Sequence, residues 1–145
     1  MTMDPLSDVL SLLKPRSYLS AGFDAAGPWS VQFPDQQRAI KCGAVVSGRC
    51  WLQVDGDAVR LETGDCFLLP SGRPFRLATD LDLPPLDAVR IFSGARSGSI
   101  VTYNGGGDFL LVSSRFALAG DHADILLRML PPIVHICSAA PCAGP

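Results

Sequence analysis

Apolar residues follow two different spacings along this chain, and turn-forming residues mark the changes between them. Near the start, Leu6, Val9, Leu10 and Leu13 share one helical face. Asp4 suits the N-cap, Pro5 suits the first turn and Pro15 stops the run, so a short helix is predicted over 4–14. Such a short helix needs a surface to pack on. A second helix is predicted over 121–130, capped by Asp121 and stopped by Pro131-Pro132. It carries Ile125, Leu126, Met129 and Leu130 on one face.

Between the helices the pattern is that of short strands. Segments 18–23, 29–33, 40–46, 49–54, 58–61, 66–69 and 74–78 are mostly apolar, with Gly-, Pro- or Asp-containing turns between most of them. Asp55-Gly56 is a two-residue hairpin signal. Residues 80–87, with Leu81, Leu83, Pro84, Pro85 and three aspartates, read as a loop crossing an edge. A further strand is expected over 88–92, and the last two over 98–103 and 108–118. Asn104-Gly105-Gly106-Gly107 would form a flexible hairpin loop between those two. Residues 133–136 are a short apolar segment, and 137–145 read as a disordered tail. Frequent short strands at this spacing predict a sandwich or barrel.

Composition narrows the class. A chain of 145 residues can build one domain with a real core. Apolar residues make up 48% and charged residues 18%, which predicts a well-buried core, an exposed apolar interface, or both. No apolar run is long enough to cross a membrane, and no basic-then-apolar leader opens the chain, so a cytoplasmic location is expected. The net charge is -2 and basic residues are scattered, so this chain alone is not expected to bind DNA. The five cysteines, Cys42, Cys50, Cys66, Cys137 and Cys142, fit no zinc spacing and are expected as reduced thiols.

Catalytic signals are missing. No nucleophile elbow or phosphate-binding loop occurs, and Gly105-Gly106-Gly107 lacks the following Lys and helix. His122 and His135 are thirteen residues apart, beyond the strand-rich region, and do not match helical ligand spacing. An enzyme is therefore not expected, nor a metal or other cofactor.

Residues 61–75 read Leu-Glu-Thr-Gly-Asp-Cys-Phe-Leu-Leu-Pro-Ser-Gly-Arg-Pro-Phe. Gly64-Asp65 and Pro70-Ser71-Gly72 are turns on either side of a short buried strand. The spacing is similar to the cupin pattern G-D-x-x-x-x-P-x-G-x-x-H, except that Phe75 stands where metal-binding cupins have histidine. The leader Asp4 to Leu10, Gly27-Pro28-Trp29, the segment Ala44 to Leu52, and the closing Leu126 to Ile136 with its Leu-Pro-Pro occur in an order that resembles the N-terminal cupin domain of AraC-type transcription regulators. In that family a histidine often precedes the Ala-Val of the barrel hairpin, and here the position is Gly43.

The resemblance implies an all-β, cupin-like antiparallel barrel, a double-stranded β-helix with short N- and C-terminal helices, over residues 1–136. It implies a module that senses a small molecule and dimerises, with a helix-turn-helix DNA-binding part absent from this chain. The other reading is a free-standing cupin enzyme, an isomerase or oxygenase, or a metal-free cupin binding protein. Alternation within 49–54 separates Cys50, Leu52 and Val54 from Arg49, Trp51 and Gln53, and the second set is a candidate pocket lining. Lys41 and Arg73 add charge for an acidic ligand, Arg76 is a further cation, and Phe75 completes the candidate ligand set. Ile125, Leu126, Met129 and Leu130 are the candidate dimer seam of a homodimer.

Overall fold

The computed structural model describes residues 15–36, 39–93, 98–118, 125 and 127–138. The elements are β1 (Pro15–Ala25), β2 (Ser30–Phe33), β3 (Ile40–Ser47), β4 (Cys50–Val54), β5 (Asp57–Leu61), β6 (Cys66–Leu69), β7 (Phe75–Ala78), β8 (Leu86–Asp87), α1 (Ala88–Ile91), β9 (Ile100–Tyr103), β10 (Phe109–Leu118) and β11 (Val134–Ile136). They form two sheets. One runs β11-β6-β3-β10-β1-β9 and the other β5-β4-β7-β2-β8. Their facing sides share one core, which includes Phe23, Val45, Phe67 and Leu111 from the first sheet and Val31, Leu52, Phe75 and Leu77 from the second.

Alternation explains this arrangement. On β4, Cys50, Leu52 and Val54 are buried while Trp51 and Gln53 between them are partly exposed. The β4–β5 hairpin turns at Asp55 (φ 51°) and Gly56 (φ 88°), the double left-handed geometry that Asp-Gly favours. The short segment after β3 turns at Gly48 (φ 87°), where a Cβ would lie 2.6 Å from the Asp108 carbonyl oxygen.

Three expectations need correction. The sheets are mixed rather than antiparallel, because β9 runs parallel to β1 and β8 parallel to β2. Residues 104–107 are not a hairpin loop, since β1 lies between β9 and β10. That connection crosses the end of β1, where the Gly107 N–H donates to Asp24 (2.8 Å) and the Asn104 amide donates to the Ala26 carbonyl (3.2 Å). The expected strand over 88–92 is instead the single helical turn α1. Asp87 caps it by accepting from the Val89 N–H at 3.0 Å, a local bond that favours helix over strand. Pro15 opens a long strand in this structure. The leading helix over 4–14 lies outside the described residues. Of the second helix, Ile125, Leu127 and Arg128 are helical, and Leu127 packs on Ile40 and Leu68 on the outer side of the larger sheet. No described helix is long and apolar enough to cross a membrane.

Candidate functional site

The two ends of the inter-sheet core differ in chemistry. At one end Phe23 packs edge-on against Trp29 (5.1 Å), and Phe109 lies 4.9 Å from the same indole. Phe92 and Tyr103 complete this aromatic cluster. Trp29 is 2% exposed and its Nε1–H meets no acceptor among the described residues.

Towards the other end the inner face carries charge. Val45 faces the core, so alternation along β3 turns Gly43 and Lys41 the same way. Gly43 leaves space that the Phe67 ring fills, since a Cβ there would lie 2.7 Å from two ring carbons. Lys41 projects across to the smaller sheet, where its Nζ lies 5.8 Å from the centroid of the Phe33 ring. Phe33 stacks flat on Phe75, with centroids 4.5 Å apart and planes within 5°. Opposite Lys41 in the β3–β10 register stands Arg115. Burial, and then the Arg115 charge, lower the Lys41 pKa to about 8.

The candidate ligand residues therefore divide. Lys41 and Phe75 face the inter-sheet core, and Phe75 is 1% exposed. Trp51 and Gln53 lie on the outer face of the smaller sheet, where Arg60 stands over the Trp51 ring at 5.9 Å. Arg76 is on that face too, donating through Nε to Ser30 Oγ (2.9 Å) and through Nη2 to the Leu83 carbonyl. Arg73 is exposed and paired with Asp55, and Arg49 is exposed in the turn before β4. Of the proposed seam, Ile125, Met129 and Leu130 are exposed, while Leu126 lies outside the described residues. Sequence reasoning missed Arg115. Its signal was the pairing of two cation-bearing strands, 40–46 with 108–118, which no local pattern reveals.

A second cluster closes the sheet edge. Gly64 turns with φ 90° and places Asp65 behind β6, where the carboxylate is 4% exposed. Asp65 accepts from the backbone N–H groups of Glu62 and Ser138, each at 2.9 Å, and pairs with His135 Nε2 at 3.0 Å. Burial pushes its pKa up, but those two N–H groups and the His135 ring more than reverse this and leave it lowered. The motif aspartate thus fastens β11 and the following residues onto the sheet. Cys137 Sγ lies 3.6 Å from His135 Nε2, and Asp65, His135 and Cys137 place ligand-type atoms within 4.8 Å of one another. Cys137 is disulfide-bonded, contrary to the reduced thiol expected, so its sulfur is not a thiolate donor. The disulfide and the committed carboxylate fit a fastening better than a metal centre. Ser138, placed by the sequence in a disordered tail, is held here by Asp65 and by the Thr63 carbonyl.

Comparison with known proteins agrees with this architecture. A cupin family model matches residues 4–145, and the chain belongs to that family. It is 43% identical, over 96% of its length, to a protein of Streptomyces antibioticus named as an AraC-like transcription regulator. A protein of Streptomyces lividans with the same name is also 43% identical over 96% of the chain. The chain spans about half the length of these curated relatives, 46% in each case. Position 75, histidine in the metal-binding cupin pattern, and position 43, often histidine in the resembled AraC-type domains, offer no ligand atom here. One is glycine under the Phe67 ring and the other is a stacked phenylalanine.

Proposed function

We propose that this chain is the effector-sensing and dimerisation part of an AraC-type transcription regulator, acting in the cytoplasm, and not an enzyme. Its 43% identity over 96% of the chain to AraC-like regulators carries the reading. The two facing sheets are taken as the walls of a cupin barrel spanning residues 1–136, with helical segments at both ends. Effector binding in the barrel would shift a two-state equilibrium that a helix-turn-helix part reads out on DNA. Reading the coding frame beyond Pro145 tests this. A helix-turn-helix pair is expected there, and a continuation into an unrelated enzyme domain would overturn it.

The dimer is supported by exposed apolar surface. Ile125 is 60% exposed and Met129 77%. One register row crosses the larger sheet through Ile100, Gly22, Val112, Ala44, Cys66 and Ile136, with no charged residue in it. Burying such surface between two copies favours a two-fold dimer. Sedimentation should give a dimer for the parent and a folded monomer for Ile125→Lys/Met129→Lys. A monomeric parent at high concentration would refute the dimer.

A further inference from the structure

The core-facing side of the larger sheet carries two cations side by side, the half-buried Lys41 and the exposed Arg115. Lys41 and Arg115 are direct partners in the antiparallel β3–β10 register, so their side chains leave the same face. That face is the core face, because Val45 and its partner Leu111, four residues along each strand, are both buried in the inter-sheet core. Like charges directly opposite each other in a sheet repel. The usual remedy is a carboxylate between them. The described ion pairs are Arg60–Glu62, Arg73–Asp55 and His135–Asp65, and none involves Lys41 or Arg115. Lys41 is also largely withdrawn from water, which makes the lack of a carboxylate partner among the described residues costly. Its nearest described aromatic neighbour is the Phe33 ring, which is only partly buried and stacks on Phe75. A charge-bearing site therefore adjoins a flat apolar wall.

We propose that Lys41 and Arg115 bind the carboxylate of a small organic acid, whose apolar part lies against the Phe33 ring. The guanidinium supplies two parallel N–H donors and the ammonium a point charge. This deepens the sensor reading and rests on it, since it assigns the chemical class of the effector. The phenyl wall favours an organic acid over a bare inorganic anion.

The test is thermal unfolding of the chain with phenylacetate, its neutral analogue phenylacetamide, and inorganic phosphate. With a dissociation constant of about 1 mM, about 10 mM phenylacetate should raise Tm by roughly 3–6 °C. Phenylacetamide should give no shift and phosphate a smaller one. Lys41→Met and Arg115→Gln, each checked for folding by circular dichroism, should abolish the phenylacetate shift. An absent shift, or one that survives both substitutions, overturns the proposal. So does a phosphate shift as large as that of phenylacetate, because the ring wall would then contribute nothing. An equal shift with phenylacetamide removes the carboxylate assignment but leaves the sensor reading standing, and the reading frame beyond Pro145 tests that reading separately.

Discussion

The two ends of the inter-sheet core differ in how fully their side chains are buried. The aromatic end, built on Phe23, Trp29 and Phe109, is closed by ring against ring, and each of these residues is at most 3% exposed. The cationic end has the stacked Phe33–Phe75 pair on one sheet, but on the other it has the half-buried Lys41 and the exposed Arg115. Packing of rings stabilises on its own, because every apolar surface meets another. A pair of like charges does not, since each repels the other across the register. The first end is thus a structural plug. The second is under tension that a ligand of opposite charge would relieve.

Truncation at the plug should give the largest effect. Phe109→Ala is expected to destabilise the chain by about 3–5 kcal/mol, from lost burial plus the cavity beside Trp29. Urea unfolding would measure it. The cost should stay the same with or without an added organic acid. If Phe109→Ala costs less than about 1 kcal/mol, the plug is not packed as described.

Removing charge at the other end should act in the opposite direction. Lys41→Met keeps the aliphatic stem and deletes a desolvated cation, so it should stabilise the chain by about 1–2 kcal/mol near neutral pH. The sign of the pH dependence follows from the lowered pKa of about 8. Between that value and the unfolded pKa of about 10.4, the unfolded chain holds a proton that the folded chain has released. Parent stability should therefore rise as pH climbs through this window, and Lys41→Met should lack the rise. Binding of an anion needs the ammonium, so affinity should fall over the same range. A parent whose stability is flat from pH 8 to pH 10 would contradict the buried placement of Lys41.

Part of the fold was legible in the sequence, for reasons that differ by element. β4 followed from period-two alternation, and the other strands from β3 to β7 from short apolar runs bounded by turns such as Asp55-Gly56, which are local signals. The absent histidines at 43 and 75 were equally local, and the structure adds what fills the space. What failed was non-local. Nothing in Asn104 to Gly107 says that β1 will separate the strands on either side, because that depends on a pairing with residues some eighty positions away. The meeting of Arg115 with Lys41 is of the same kind. The helical turn α1 was missed because one capping bond from Asp87 outweighs the β-propensity of Val89 and Ile91 in so short a segment. Asp65 read as a turn residue, and its role as the anchor of His135 and Ser138 needed the fold.

The smallest expected effect concerns the residues that the sequence offered as pocket lining and the structure places elsewhere. Trp51 and Gln53 stand on the outer face of the smaller sheet, with Arg60 covering the indole. Neither lines the space between Lys41 and Phe33, because side chains on opposite faces of a strand cannot share one cavity. Gln53→Ala should change stability by less than about 0.5 kcal/mol, as for other partly exposed polar positions. Trp51→Ala should cost somewhat more, through the lost contact with Arg60, in the range of about 0.5–1 kcal/mol for a surface cation–π pair. Both variants should keep the full phenylacetate shift. A loss of that shift in either one would move the proposed organic-acid site to the outer face, and the contrast between the two ends of the core would then lose its functional meaning.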